Sequence, residues 1–73
     1  MKPYANKSGG SGILAYEIEP EAIVIRFTKG TYRYTYEKPG QFEVEKMKRL
    51  AESGKGLASY ISRFVGDRYA DKL

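Results

Sequence analysis

Between Ile13 and Tyr36 the side chains alternate with a period of two residues, in three runs separated by turn-forming breaks. Leu14, Tyr16 and Ile18 alternate with Ile13, Ala15 and Glu17; Ile23, Ile25 and Phe27 with Ala22, Val24, Arg26 and Thr28; Tyr32, Tyr34 and Tyr36 with Thr31, Arg33 and Thr35. Only an extended chain turns every second side chain to the same face, so each run reads as a strand. The breaks, Glu19-Pro20-Glu21 and Lys29-Gly30, are too short for anything but tight turns. The segment is therefore expected to form a three-stranded antiparallel meander.

A sheet of three strands cannot bury its apolar face unaided. The rest of the chain supplies the cover. Lys38-Pro39-Gly40 closes the sheet, and the spacing then becomes helical: Val44, Met47, Leu50 and Ala51 share a side, with Glu45 and Arg49 as an outer i,i+4 pair. Gly54 stands where a helix C-cap is expected. Beyond Lys55-Gly56, Leu57, Tyr60, Ile61, Phe64 and Val65 form a second apolar stripe that Tyr69 extends, with Gly66 weakening its end. The predicted fold class is α+β: three antiparallel strands followed by two helices packed on the Ile23/Ile25/Phe27 side. Residues 13–73 make the single domain. Residues 1–12, ending in Ser8-Gly9-Gly10-Ser11-Gly12, read as a flexible N-terminal lead-in that Tyr4 could pin to the body.

At 73 residues, with no cysteine and no histidine, the chain can draw on neither disulfides nor the usual zinc ligands. No cofactor and no metal are expected. Seven tyrosines and three phenylalanines supply the burial instead. Missing histidine and cysteine also remove the commonest general base and the most reactive nucleophile. Glu19 and Glu21 sit at a turn in a chain too small to enclose a substrate, so a non-catalytic protein is expected. No run approaches the roughly 20 apolar residues of a membrane span, and the start lacks an apolar leader, which points to the cytoplasm.

The net charge of +4 favours anionic partners, although it is spread along the chain without a basic tract. Arg26 and Arg33, flanked by Thr28, Thr31 and Thr35, form a candidate phosphate-gripping face; paired with Glu17, the same residues read as an ordinary solvated sheet face. Lys55, between Gly54 and Gly56 ahead of a helix, could hold a phosphate or simply turn the chain. Arg63 and Arg68 near Tyr60 and Tyr69 suggest an Arg/Tyr surface. Tyr32, Tyr34 and Tyr36 invite comparison with sheets that stack bases, but the helices need an apolar floor and the same rings would supply it.

The Tyr32-Arg33-Tyr34 strand, the preceding Ile25-Arg26-Phe27, the following Pro39 and the Ser53-Gly54-Lys55-Gly56-Leu57 turn together resemble the KTSC domain family, from about Ser11 to Leu73. That family takes its name from a segment at the C-terminus of some lysyl-tRNA synthetases and also occurs as small stand-alone bacterial and phage proteins. The resemblance implies structural roles for Tyr32, Tyr34, Pro39, Ser53 and Gly56 and suggests RNA as a partner. Lys38-Pro39 replaces the family's usual Val-Pro, and these 73 residues include no synthetase sequence. The leading expectation is a nucleic-acid-binding module, for RNA. The alternative is a protein-interaction or accessory module, self-association included, which would bind through a sheet edge or a helix face.

Overall fold

A computed structural model describes residues 1–7 and 9–73. Ser8, part of the glycine/serine run, lies outside the described residues. The elements follow in the order β1 (Lys2–Pro3), β2 (Ile13–Glu19), β3 (Ala22–Phe27), β4 (Gly30–Thr35), α1 (Gln41–Ser53), α2 (Leu57–Tyr60), which runs on into a π-helical segment (Ile61–Val65), and β5 (Asp71–Lys72).

The three periodic runs form the centre of the sheet, with Glu19 opposite Ala22 and Phe27 opposite Gly30 across their two turns. The sheet does not stop at three strands. Lys2–Pro3 pairs antiparallel with Tyr16 and Ala15, and Asp71–Lys72 pairs with Arg33 and Tyr32, giving a five-stranded sheet in the order β1-β2-β3-β4-β5. Both edge strands have only two residues, too few to show a period. Regular structure therefore begins at Lys2, not at Ile13 as expected.

One sheet face carries Tyr16, Ile23, Ile25, Tyr32 and Tyr34, and α1 and the second helix cover it. Ile23, Ile25, Val44, Met47 and Leu57 are completely buried at the centre of this core. Strand β2 departs from strict alternation. A register shift between Ile13 and Ala15 turns Ile13 into the core and leaves Leu14 exposed, the effect of one extra residue in a strand. Helix α1 ends where expected. Gly54 takes a left-handed conformation, φ 75°, and its amide donates to the Leu50 and Ala51 carbonyls. Glu45 pairs with Lys48, 3.0 Å away, rather than with Arg49. The apolar stripe of the second helix is only partly buried: Leu57, Ile61 and Val65 face the core, whereas Phe64 is exposed. Gly66 ends the helix at positive φ, and the chain then returns to the sheet, so Tyr69 reaches the core from an extended tail.

Candidate nucleic-acid interface

Arg33 lies on the sheet face away from the helices. Its guanidinium donates twice to Glu19, Nε to Oε1 at 3.0 Å and Nη2 to Oε2 at 3.3 Å, and Asp71 stands 3.8 Å from Nη1. Because Arg33 is opposite Val24 and Glu19 is opposite Ala22, the pair bridges over β3. That explains why Ala22 and Val24 are buried on a face that no helix covers. The hydrogen bond and charge of Glu19 raise the Arg33 pKa above its already high value. A guanidinium engaged in this way has little left for a phosphate. On the same face Arg26 is exposed opposite Ala15 and Thr31, while Glu17 lies 3.7 Å from the N-terminal amine. Arg26 and Arg33 therefore do not combine into a cationic platform: carboxylates alternate with the cations.

The Ser53–Leu57 turn uses its own donors. Ser53 Oγ donates to the Leu50 and Lys55 carbonyls and accepts from the Lys55 amide, and the Leu57 amide donates to the Tyr4 hydroxyl at 3.3 Å. The Lys55 side chain is exposed, but two of the amides that would cradle a phosphate beside it are taken. Arg68 folds back on the end of the helix, where it donates to the Val65 and Phe64 carbonyls and satisfies two acceptors there. Arg63 is exposed and borders a hollow of about 400 Å³ together with Ser59, Ser62 and the Gly9–Ser11 loop. Pro39 follows a cis peptide bond and bridges to Thr35. Tyr36 is half-buried, and its hydroxyl donates to Glu45 at 2.6 Å. That bond, with help from Lys48, holds the Glu45 carboxyl below its usual range.

What the fold does assemble is an aromatic cleft at the opposite end of the sheet. Phe27, Tyr32, Tyr34 and Tyr69 line a hollow of about 410 Å³, with Ser11, Gly12, Thr28, Lys29, Ile61, Gly66 and Asp67 around them. The rings meet face and edge. Tyr32 lies 4.6 Å from Tyr69 and 5.8 Å from Phe27, while Tyr34 meets Tyr69 edge-on at 6.4 Å. Tyr34 is almost wholly buried, Tyr32 and Tyr69 only partly, so the rings grade from core to surface. Lys29 is on the rim, and Lys72 Nζ sits 6.0 Å from the Tyr32 ring centroid. Asp67 is the one acid among the lining residues. The sequence points to none of Phe27, Lys29 and Lys72 as site residues and places Tyr69 with Tyr60 on a helical Arg/Tyr surface, because the four come together only after the tail folds back beside β4. The lone signal in the sequence was an aromatic residue placed just beyond the helix-ending Gly66.

Burial, followed by the neighbouring Tyr32 and Tyr69, pushes the Tyr34 hydroxyl up to about 12. A folded pKa above the unfolded one favours folding fully below the unfolded value of 10.0, and this contribution is lost as pH rises toward 12. The thermal midpoint should fall through that window, and Tyr34→Phe should make the fall shallower. A variant that loses stability as steeply as wild type would contradict the assignment. Among the described residues no helix is long and apolar enough to cross a membrane, and no group of acidic residues is arranged to hold a metal ion. Comparisons with protein-family models, with curated proteins and with solved structures found no match.

Proposed function

We propose that this chain is a non-catalytic, cytoplasmic module that binds single-stranded nucleic acid, RNA above all, by stacking a base in the aromatic cleft. The observation that carries the proposal is the cleft itself: four aromatic rings, one buried and three half-buried, with Lys29 on the rim and Lys72 Nζ 6.0 Å from the Tyr32 ring. Rings stack on any base, and cations beside them meet the flanking phosphates, which is how modules for unpaired strands bind. A duplex keeps its base faces inside the stack and cannot use such a site. The net charge of +4 works in the same direction, and so does the resemblance to KTSC domains with their synthetase association.

A second reading, docking of a protein partner, is favoured by Phe64, which is 57% exposed and lies 5.1 Å from Tyr60 on the second helix. Salt separates the two readings. Fluorescence anisotropy with labelled single-stranded RNA, duplex RNA and single-stranded DNA should show the single strands binding and the duplex binding more weakly. If two or three phosphates are neutralised, single-strand affinity should fall roughly 7- to 18-fold between about 50 and 200 mM salt. No binding of any of the three at low salt would overturn the proposal and leave the Phe64 surface as the one to examine.

A further inference from the structure

We infer that the cleft also reads the base it stacks, with the Tyr34 hydroxyl on its inner wall donating a hydrogen bond to an acceptor atom on the base edge. This rests on the nucleic-acid reading above. The Tyr34 side chain is 2% exposed and lines the cleft, yet its hydroxyl has no hydrogen-bond partner among the described residues. That hydroxyl is not one of the fully buried atoms left without a partner, so it opens onto the cleft that the side chain lines. Tyr4, buried elsewhere, accepts from the Leu57 amide, and Tyr36 donates to Glu45. Tyr16 also lacks a partner, but it borders a hollow lined by Glu17 and Glu52 that offers no second ring. At Tyr34 the ring is met by Tyr69, which in turn contacts Tyr32, and the hydroxyl is left as a free donor beside these rings.

A base lying against Tyr32 would turn an edge toward that donor, with Lys29 on the rim and Lys72 beside the Tyr32 ring to meet the flanking phosphates. Burial keeps the Tyr34 proton in place well above neutral pH, so the group donates under all ordinary conditions. The ligand class is thus an unpaired nucleotide within a strand, held by stacking and selected at its edge. Site-built hydrogen bonds discriminate because a stacked ligand that lacks the acceptor shuts the donor off from water and leaves it empty.

The test uses the full chain and labelled ten-nucleotide oligo(A), oligo(C) and oligo(U) RNA. Tyr34→Phe keeps the ring and removes only the hydroxyl. It should weaken the tightest-bound oligomer about 3- to 10-fold, the worth of one hydrogen bond, and narrow the spread among the three with the salt dependence unchanged. A second measurement needs no variant: a ten-nucleotide backbone bearing phenyl rings in place of bases can stack but has no acceptor, so it should bind wild type several-fold more weakly than the best RNA. Tyr34→Phe affinities within twofold of wild type on all three oligomers, or phenyl-oligomer binding equal to the best RNA, would overturn this inference alone. Failure of wild type to bind any of the RNAs would overturn it together with the proposed function.

Discussion

Tyr34→Ala should leave the domain largely unfolded at room temperature. Tyr34 stands opposite Ile23 in the sheet, belongs to the same buried cluster as Val44 and Met47, and meets the edge of Tyr69. Removing a buried aromatic ring costs about 3 to 5 kcal/mol, partly in lost transfer energy and partly in the cavity left behind. A domain of 73 residues without disulfide or metal holds a reserve of similar size, so the loss consumes most of it. Circular dichroism should show a far-UV signal without a cooperative melt above 25 °C. Tyr34→Phe, measured alongside, should melt within a few degrees of wild type, because its hydroxyl bonds to no described residue. A Tyr34→Ala protein that melts cooperatively near the wild-type midpoint would show that the ring is not part of the core.

The contrast between these two substitutions separates the ring of Tyr34 from its hydroxyl. The ring belongs to the fold and the hydroxyl to the cleft. Burial graded along a strand produces this situation: β4 enters the core at Tyr34 and leaves it at Tyr32, so a single aromatic run supplies both floor and slot. Burial in the core and access to the cleft are not alternatives for these tyrosines but vary by position along the strand.

What could be read from the sequence follows the range of the forces involved. Strands β2 to β4 and helix α1 announce themselves because periods of 2 and 3.6 are local properties of a few adjacent residues. Leu14 escaped because a single bulge inverts the facing of everything on one side of it, and the pattern of alternation is nearly indifferent to which of Ile13 and Leu14 turns inward. Strands β1 and β5 carry no periodic signal. They form because a paired β2 and β4 offer open backbone donors and acceptors, which the termini fill. Arg33 looked like a phosphate ligand since nothing in a local window says that Glu19, across β3, will claim it. The cleft is the least legible feature of all, assembled from two strands, a turn and a tail that become neighbours only in the finished fold.

The N-terminal segment gives the second large expected effect. Tyr4→Ala should destabilise the domain by about 3 to 5 kcal/mol, comparable to Tyr34→Ala, although Tyr4 lies within what composition reads as a flexible lead-in. The ring is 7% exposed and belongs to the core, and the hydroxyl takes the Leu57 amide at the start of the second helix. Its backbone is held as well: the Tyr4 amide donates to the Leu14 carbonyl at 3.0 Å, and the Lys7 amide to Gly54 at 2.7 Å. The segment crosses the helix turn so closely that a Cβ at position 54 would come within 2.6 Å of the Ala5 Cβ, so glycine is needed there for space as well as for its positive φ. Tyr4→Phe divides the effect. It keeps the ring but strips the partner from a buried helix-start amide, a change of about 1 to 3 kcal/mol, and so should melt between wild type and Tyr4→Ala. Urea midpoints of the three proteins in that order would tie the first residues to the core. A Tyr4→Ala midpoint equal to wild type would mean that the domain holds together without its first strand, and that the Ser53–Leu57 turn keeps its shape without the hydroxyl that reaches it from 53 residues away.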